Sequence, residues 1–269
     1  MSNEKSLSRD RIVRAIVEAL EPLDYVYALW EGGAVAFDAV DEWSDIDICV
    51  AAEDERVEEV FPVVERALEV LAPVRLKYDV QAPSLGEYVQ AFYRLERTSK
   101  FMLVDFAVFK QTAKDKLLEP EIHGKSKFHF NRGSTVKIPH LDRGEFVESM
   151  KAKFDRTRKR FEAFACFVEK EMNRGNSIEA LGLYHRLILD SLVQVLRMKY
   201  KPVRYDFGVR YVYRDLPEET VARLADLYFV ADGKDLERKY RQAETWFRET
   251  VREINFEDIE RSLQETENP

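Results

Sequence analysis

The pattern of apolar and polar positions changes near residue 145. Before that point, segments with apolar residues every three or four positions alternate with short runs rich in β-branched and aromatic residues. The first spacing is typical of amphipathic helices and the second of strands. Beyond that point only helical spacing recurs. The pattern therefore predicts an α/β (α+β) domain over residues 1–145 and an all-α helical-bundle domain over residues 146–269.

Spacing within the first region also predicts its individual elements. A helix is expected to begin at Ser8, whose hydroxyl can cap it, and to end before Pro22. Further helices are predicted over 57–71 and from Ser84, where Glu87 would complete a capping box. Strands are predicted over 25–30, 45–51, 74–80 and 101–109, with a helical turn over 34–38 and a hairpin over 126–138 that turns at 131-NRG-133.

The second region is predicted to contain four main helices. They cover approximately 146–172, 178–200, 218–230 and 236–254. The second of them is apolar on most sides, which places it at the centre of a bundle. A loop between Pro202 and Pro217 combines aromatic residues with basic ones.

Three carboxylates interrupt the apolar strands of the first region. Asp45 and Asp47 are two residues apart, so both lie on one face of their strand, and Asp105 interrupts the run 101-FMLVDFAVF-109. A single acid of this kind is commonly a capped turn or a satisfied ion pair. Several carboxylates buried together repel one another unless a cation neutralises them. Oxygen ligands on rigid strands suit Mg²⁺, so the pattern indicates a magnesium site.

Two glycines precede the paired acids. Gly32 and Gly33 follow a predicted strand and precede a short helical turn, where free backbone N–H groups can bind a phosphate. A Gly-Gly pair alone is most often only a turn. Here the eleven residues between Gly33 and Asp45 allow a helical turn and a return into the neighbouring strand, which would bring phosphate and metal together.

The run 32-GGAVAFDAVDEWSDID-47 resembles the signature of the DNA polymerase β-like nucleotidyltransferase superfamily. That signature is a Gly-Gly or Gly-Ser pair, an Asp-x-Asp motif and a third acid on a later strand, for which Asp105 stands in the expected place. The tetrapeptide 44-SDID-47 is most similar to the small bacterial and archaeal members and to the aminoglycoside-type enzymes. Many members have a serine after the first motif glycine, and one alignment by spacing places Ala34 at that serine position. If Gly32-Gly33 is aligned instead with the Gly-Gly form of the signature, no motif residue is missing.

The resemblance implies metal-assisted transfer of a nucleoside monophosphate, AMP from ATP, to an acceptor hydroxyl, with release of pyrophosphate. It implies that Asp45 and Asp47 hold the Mg²⁺ that bridges the triphosphate. Asp105 would bind a second Mg²⁺ or act as the general base. The residues expected to contact the nucleotide, whether ATP or another triphosphate, are Gly32, Gly33, Ala34, Ser44, Lys201 and Arg204.

Several of these residues also have structural interpretations. Ser44 has the character of a turn residue, and Lys201 and Arg204 lie in a loop whose aromatic and basic side chains can equally pin it to the bundle. Beside the motif, Trp43 is expected to pack against the protein and Glu31 to be an exposed acid at a strand end. The two cysteines, Cys49 and Cys166, are expected to be small buried hydrophobes without a disulfide.

Composition narrows the class of partner. The 269-residue chain has a formal net charge of −8, which argues against extended binding to nucleic acid. It contains no apolar run of membrane-spanning length and no apolar leader, so a cytoplasmic location is expected. A small aminoglycoside-like acceptor is the leading prediction. The alternatives are an enzyme that modifies a protein or an RNA end, and a catalytically silent nucleotide-binding regulator. The sequence is also compatible with a homodimer.

Overall fold

The computed structural model describes residues 7–80 and 87–265 of the chain. The protein divides into two compact units, one that ends at His140 and one that begins at Leu141. Within the described residues, no helix has the length and apolar composition that crossing a bilayer requires.

The first unit is built on a mixed sheet. Its strands are β1 (Val26–Glu31), β2 (Ile46–Ala52), β3 (Val74–Asp79), β4 (Tyr88–Leu95), β5 (Val104–Lys110) and β6 (Lys127–Asn131). Its helices are α1 (Arg9–Leu20), α2 (Gly33–Ala36), α3 (Val60–Leu71) and α4 (Pro120–His123), with a 3₁₀ turn over Asp54–Glu59 that leads into α3. Among the described residues these six strands follow the order β3-β4-β5-β2-β1-β6. Only β2 and β5 are parallel neighbours; the other pairs are antiparallel.

The main core of this unit lies between one face of the sheet and the helices α1 and α3. Because side chains alternate along a strand, Ile46, Ile48 and Val50 of β2 point into this core, and Asp47 and Cys49 point to the other face. A smaller cluster around Trp30 and other apolar side chains covers part of that second face. The alternation therefore separates a packed face from a face that carries acids.

Two predictions for the first unit are wrong. The segment after Ser84, a residue outside the described ranges, forms strand β4 and not a helix. Its apolar residues Ala91, Tyr93 and Leu95 are buried at strand spacing, and β4 supplies β5 with its second neighbour. The predicted hairpin over 126–138 is also absent: its first arm is β6, and its second arm does not form a strand.

The reason for the missing hairpin lies in the sheet and in Asn131. β6 pairs with β1, so its hydrogen-bonding partner is already in place without a second arm. Beyond it, Asn131 accepts a hydrogen bond from the Val136 N–H at 3.1 Å and donates one to the Val136 carbonyl at 2.7 Å. The side chain thereby closes a loop where the sequence pattern predicts a second strand.

The second unit is helical. Its helices are α5 (Arg143–Phe164), α6 (Cys166–Asn173), α7 (Ser177–Leu183), α8 (Asp190–Tyr200), α9 (Val212–Asp215), α10 (Glu218–Tyr228), α11 (Gly233–Glu253) and α12 (Phe256–Glu265), with a π-helical segment over Tyr184–Leu189 between α7 and α8. As predicted, α8 is central: Leu192, Val195 and Leu196 are fully buried. The predicted fold class, a mixed α/β part followed by a helical part, is confirmed.

The two cysteines depart from the prediction in one respect. Both are free thiols, and Cys49 is half-buried beside the acids of the second sheet face. Cys166 is exposed, because it begins α6 on the outer side of that helix and not on its core side.

Candidate active site

The structure places the three predicted acids at one edge of the sheet. Asp47 and Asp105 are the second residues of the parallel neighbours β2 and β5, and they are direct partners in the register of these strands. Residues paired in this way project their side chains from the same face. Asp45 lies just before β2, and its Oδ1 accepts a hydrogen bond from the Leu103 N–H at 3.3 Å. Backbone pairing therefore assembles three carboxylates from segments 58 residues apart or more.

Burial, together with mutual repulsion, perturbs Asp47 and Asp105. Burial raises the pKa of Asp47 to about 6, from an ordinary value of 3.8, and the neighbouring carboxylates of Asp105 and Asp45 contribute in the same direction. Burial also raises the pKa of Asp105, an effect that a hydrogen bond from Gln90 opposes. Without a bound cation, the fold therefore holds its acids at an electrostatic cost.

The glycine turn packs directly against one of these acids. Gly33 has φ +54°, and a Cβ added to it would lie 1.9 Å from Asp47 Oδ2. The N–H of Gly32 donates to the Asp47 carbonyl at 3.1 Å, which ties the turn to β2. Gly32 itself has open space where a Cβ would stand. The second glycine is therefore the one that the geometry requires, both for its backbone conformation and for its contact with Asp47.

The two residues beside these motifs have defined local roles. Ala34 belongs to the single turn of α2, where its carbonyl accepts hydrogen bonds from Phe37 and Ala39. Ser44 exchanges hydrogen bonds with Asp41: its hydroxyl donates to Oδ1 at 2.7 Å and accepts from the backbone N–H at 2.9 Å. Ser44 thus stabilises the turn that delivers the chain to Asp45, and its nucleotide contact stays a prediction.

Glu31 differs from its sequence-based interpretation. It is 2% exposed and accepts hydrogen bonds from Arg9 at 2.7 Å and His129 at 2.8 Å, with Lys127 Nζ at 3.4 Å. It is the strand partner of Ile48, so it projects from the face opposite to Asp47. Arg9 also donates to the Asp45 carbonyl at 2.5 Å. The buried Glu31 carboxylate thereby joins α1, β1 and β6.

Gln90 and Arg9 are the site residues that sequence reasoning missed. Gln90 Nε2 donates to Asp105 Oδ1 at 2.6 Å from the adjacent strand β4. If β4 is recognised as a strand beside β5, the register places the Gln90 amide on the same face as Asp105, which makes Gln90 a candidate partner of that acid. No local signal points to Arg9, because its partner Glu31 is 22 residues away in the chain.

Trp43 packs against a neighbouring ring, but it is not buried in the core. Its side chain is 56% exposed and meets the 41% exposed Phe101 edge-on, with ring centroids 4.6 Å apart. The backbone N–H of Trp43 donates a hydrogen bond to Asp41 Oδ1 at 3.0 Å. Trp43 therefore belongs to the same turn that Ser44 stabilises. The exposed aromatic pair of Trp43 and Phe101 therefore lies in the two segments that lead into the acid-bearing strands β2 and β5.

The two basic residues predicted to bind nucleotide belong to the second unit. Arg204 is 6% exposed and donates to Asp215 Oδ1 at 2.7 Å, while Arg197 donates to the other oxygen at 3.0 Å. Nucleotide contact by Arg204 would require this buried ion pair to open. Lys201 is half-exposed at the end of α8, and its role stays a prediction.

The donor set fits a magnesium ion that binds together with substrate. Among the described residues, no three His, Cys, Asp or Glu side chains are grouped as a ready-made metal cage. Mg²⁺ usually binds one or two carboxylates and takes its remaining ligands from water and substrate phosphates. Asp45, Asp47 and Asp105 provide carboxylate oxygen atoms at this edge, beside the Gly32-Gly33 turn, and the pKa values of Asp47 and Asp105 are raised.

Solved structures that are similar to the chain include two adenyltransferases and a nucleotidyltransferase-like protein, and each aligns with at least 90% of its length. An aminoglycoside 6-adenyltransferase from Bacillus subtilis aligns over 97% of this chain and 97% of its own, with 13% identity and a TM-score of 0.34. A nucleotidyltransferase-like protein from Exiguobacterium sibiricum covers 91% of this chain and 75% of its own, with 13% identity and a TM-score of 0.38.

A third neighbour was solved with two bound molecules. This spectinomycin adenyltransferase from Enterococcus faecialis, with ATP and spectinomycin, aligns over 90% of this chain and all of its own, with 10% identity and a TM-score of 0.33. No protein-family model and no curated protein matches the chain. At these identities and TM-scores, the likeness assigns neither a substrate nor a site residue to this chain.

Proposed function

We propose that this protein is a Mg²⁺-dependent nucleotidyltransferase that moves AMP from ATP to a hydroxyl of a small-molecule acceptor and releases pyrophosphate. One observation carries the proposal. Asp47 and Asp105 are paired across two parallel strands, and the Gly33 turn is pressed against Asp47. A phosphate-binding turn and clustered acids within one sheet edge suit a reaction at a nucleotide phosphate.

The residues of the edge have distinct tasks in this reaction. Asp45, Asp47 and Asp105 would hold Mg²⁺, which neutralises the triphosphate and lowers the pKa of the acceptor hydroxyl. The acceptor oxygen bonds to the α-phosphorus, and the bond from that phosphorus to the oxygen bridging the β-phosphate breaks. Asp105 accepts the hydroxyl proton, and the electron pair of the broken bond leaves with pyrophosphate. Gln90 holds the Asp105 carboxylate in place through its hydrogen bond.

Transfer of labelled AMP tests the proposal. The protein is incubated with [α-³²P]ATP, Mg²⁺ and one acceptor: spectinomycin, adenosine, glucosamine or the open-chain polyol mannitol. Spectinomycin is included because one structural neighbour was solved with it. We expect labelled product and pyrophosphate with at least one ring compound, and a loss of at least about 100-fold in Asp45→Asn, Asp47→Asn and Asp105→Asn.

Asp24→Asn is the matched control, because Asp24 is 97% exposed and lies away from the acidic edge in the same unit. It should retain wild-type activity. Full activity in Asp47→Asn would contradict the assignment of the acids. Mg²⁺-dependent binding of ATP without pyrophosphate release for any acceptor would instead favour a nucleotide-binding regulator.

A further inference from the structure

A row of four side chains crosses the sheet at the level of the acids. Asp47 is the register partner of Asp105, Asp105 is the partner of Phe92, and Phe92 is the partner of Tyr78. Directly paired residues project from the same face, so all four line one face of β2, β5, β4 and β3. With neighbouring strands about 4.8 Å apart, Tyr78 lies about 10 Å along the row from Asp105.

The aromatic half of this row is uncovered. The side chain of Tyr78 is 61% exposed, Phe92 is half-buried, and their ring centroids are 6.4 Å apart with planes tilted by 33°. Leu76, on the same face of β3, is 53% exposed. On the opposite face of β4, Tyr93 is fully buried, so only one side of these strands is closed by the core. Two large rings left in contact with solvent beside an acidic edge are typical of a binding surface.

The order of the strands separates two flanks of the acids. The glycine turn follows β1, on one side of β2, whereas Phe92 and Tyr78 lie on the other side, beyond β5. In the proposed reaction the triphosphate occupies the glycine flank. The molecule that must approach from the opposite flank is the acceptor.

We propose that Phe92 and Tyr78 form the acceptor subsite, and that they bind the flat, apolar C–H face of a hydroxylated ring. This inference rests on the proposed function. A ring seated on these two side chains presents a peripheral hydroxyl to Asp105, its neighbour in the row. Gln90 lies on the same face and limits the position of the Asp105 carboxylate. Open-chain polyols offer no flat face to the two rings and are poor acceptors.

Substitution of the two rings tests the subsite. Tyr78→Ala and Phe92→Leu should raise the KM for the ring acceptor about tenfold or more, while the KM for ATP stays within about twofold. Tyr78→Phe keeps the ring and should retain most of the acceptor affinity. Val70→Ala is the control, because Val70 is 85% exposed on α3, on the other side of the sheet.

A binding measurement separates failure of the subsite from failure of the proposed function. In protein with ¹³C-labelled tyrosine and phenylalanine rings, a ring compound of the same acceptor set should shift the resonances assigned through Tyr78→Phe and Phe92→Leu. A nonhydrolysable ATP analogue with Mg²⁺ should leave them in place. Resonance shifts without any transfer support the subsite and contradict the transferase. Transfer with an unchanged acceptor KM in Tyr78→Ala, or resonances that none of the ring compounds moves, would overturn the subsite.

Discussion

Asp47 and Asp105 are direct partners across two neighbouring parallel strands, and they project from the face that the main core leaves free. The pairing brings two carboxylates together where burial already disfavours their charge, and Asp45 adds a third from the segment before β2. The fold maintains this arrangement through backbone hydrogen bonds that do not depend on the side chains. Such an edge is less stable alone than with a bound cation.

The raised pKa of Asp47 predicts a pH-dependent cost to stability. Because its folded pKa of about 6 lies above the ordinary 3.8, the protonated form favours folding. That contribution is fully present below pH about 3.8 and is lost as pH rises through about 6. Asp47→Asn removes the titration and should stabilise the metal-free protein above pH 6, by up to about 3 kcal/mol.

Urea unfolding in EDTA between pH 5 and pH 8 measures this effect. The difference in unfolding free energy between Asp47→Asn and the wild type should grow as pH rises through about 6 and then level off, whereas Asp24→Asn should show no such trend. Parallel pH profiles for Asp47→Asn and the wild type would contradict the inferred repulsion.

The two glycines are predicted to differ in their tolerance of a side chain. In Gly33→Ala the new methyl group would overlap the Asp47 carboxylate at a positive φ, so it must displace the acid or the turn. We expect transfer to fall at least about 100-fold. Gly32→Ala has open space and should stay close to wild-type activity. Circular dichroism of both variants checks that the fold is intact, and equal losses in the two would refute this distinction.

Gln90 is predicted to position the third acid. Gln90→Met keeps a similar volume but removes the hydrogen bond to Asp105, so we expect transfer to fall about 10- to 100-fold. Gln90→Glu adds a negative charge beside Asp105 and should cost more. Titration with a nonhydrolysable ATP analogue should give an unchanged Kd in Gln90→Met. A wild-type rate of transfer in Gln90→Met would contradict the prediction that Gln90 positions Asp105.

The buried network around Glu31 is predicted to stabilise the fold. Burial alone would raise the pKa of Glu31, but hydrogen bonds from His129 and Arg9 hold it below its usual value. Glu31→Ala leaves the Arg9 guanidinium without its counter-charge and His129 without its hydrogen-bond partner, so it should lower the unfolding free energy by about 3–5 kcal/mol. Glu59→Ala breaks the exposed pair with Arg56 and should lower the unfolding free energy far less in the same urea titration. Similar losses in both variants would contradict a buried network.

Local pattern was sufficient to predict much of this fold and of its site. The acids of β2, the glycine turn and the central apolar strand β5 are short-range features, because each is encoded by spacing within about fifteen residues. The helices of the second unit were predictable for the same reason, since amphipathic spacing reports a buried stripe directly. Strand β4 was not predictable in this way, because its alternating pattern competes with a helix-start signal at Ser84 and Glu87. The segment forms a strand because it pairs with β5.

The sequence pattern alone shows which acids interrupt strands and that a glycine turn precedes them. The pairing of Asp105 with Asp47, the hydrogen bond from Gln90 to Asp105 and the burial of Glu31 against Arg9 are visible only in the folded protein. Strand register and burial depend on contacts between segments tens of residues apart, so no local pattern encodes them. The row that continues from the acids to Tyr78 has the same origin, since it exists only once four strands lie side by side.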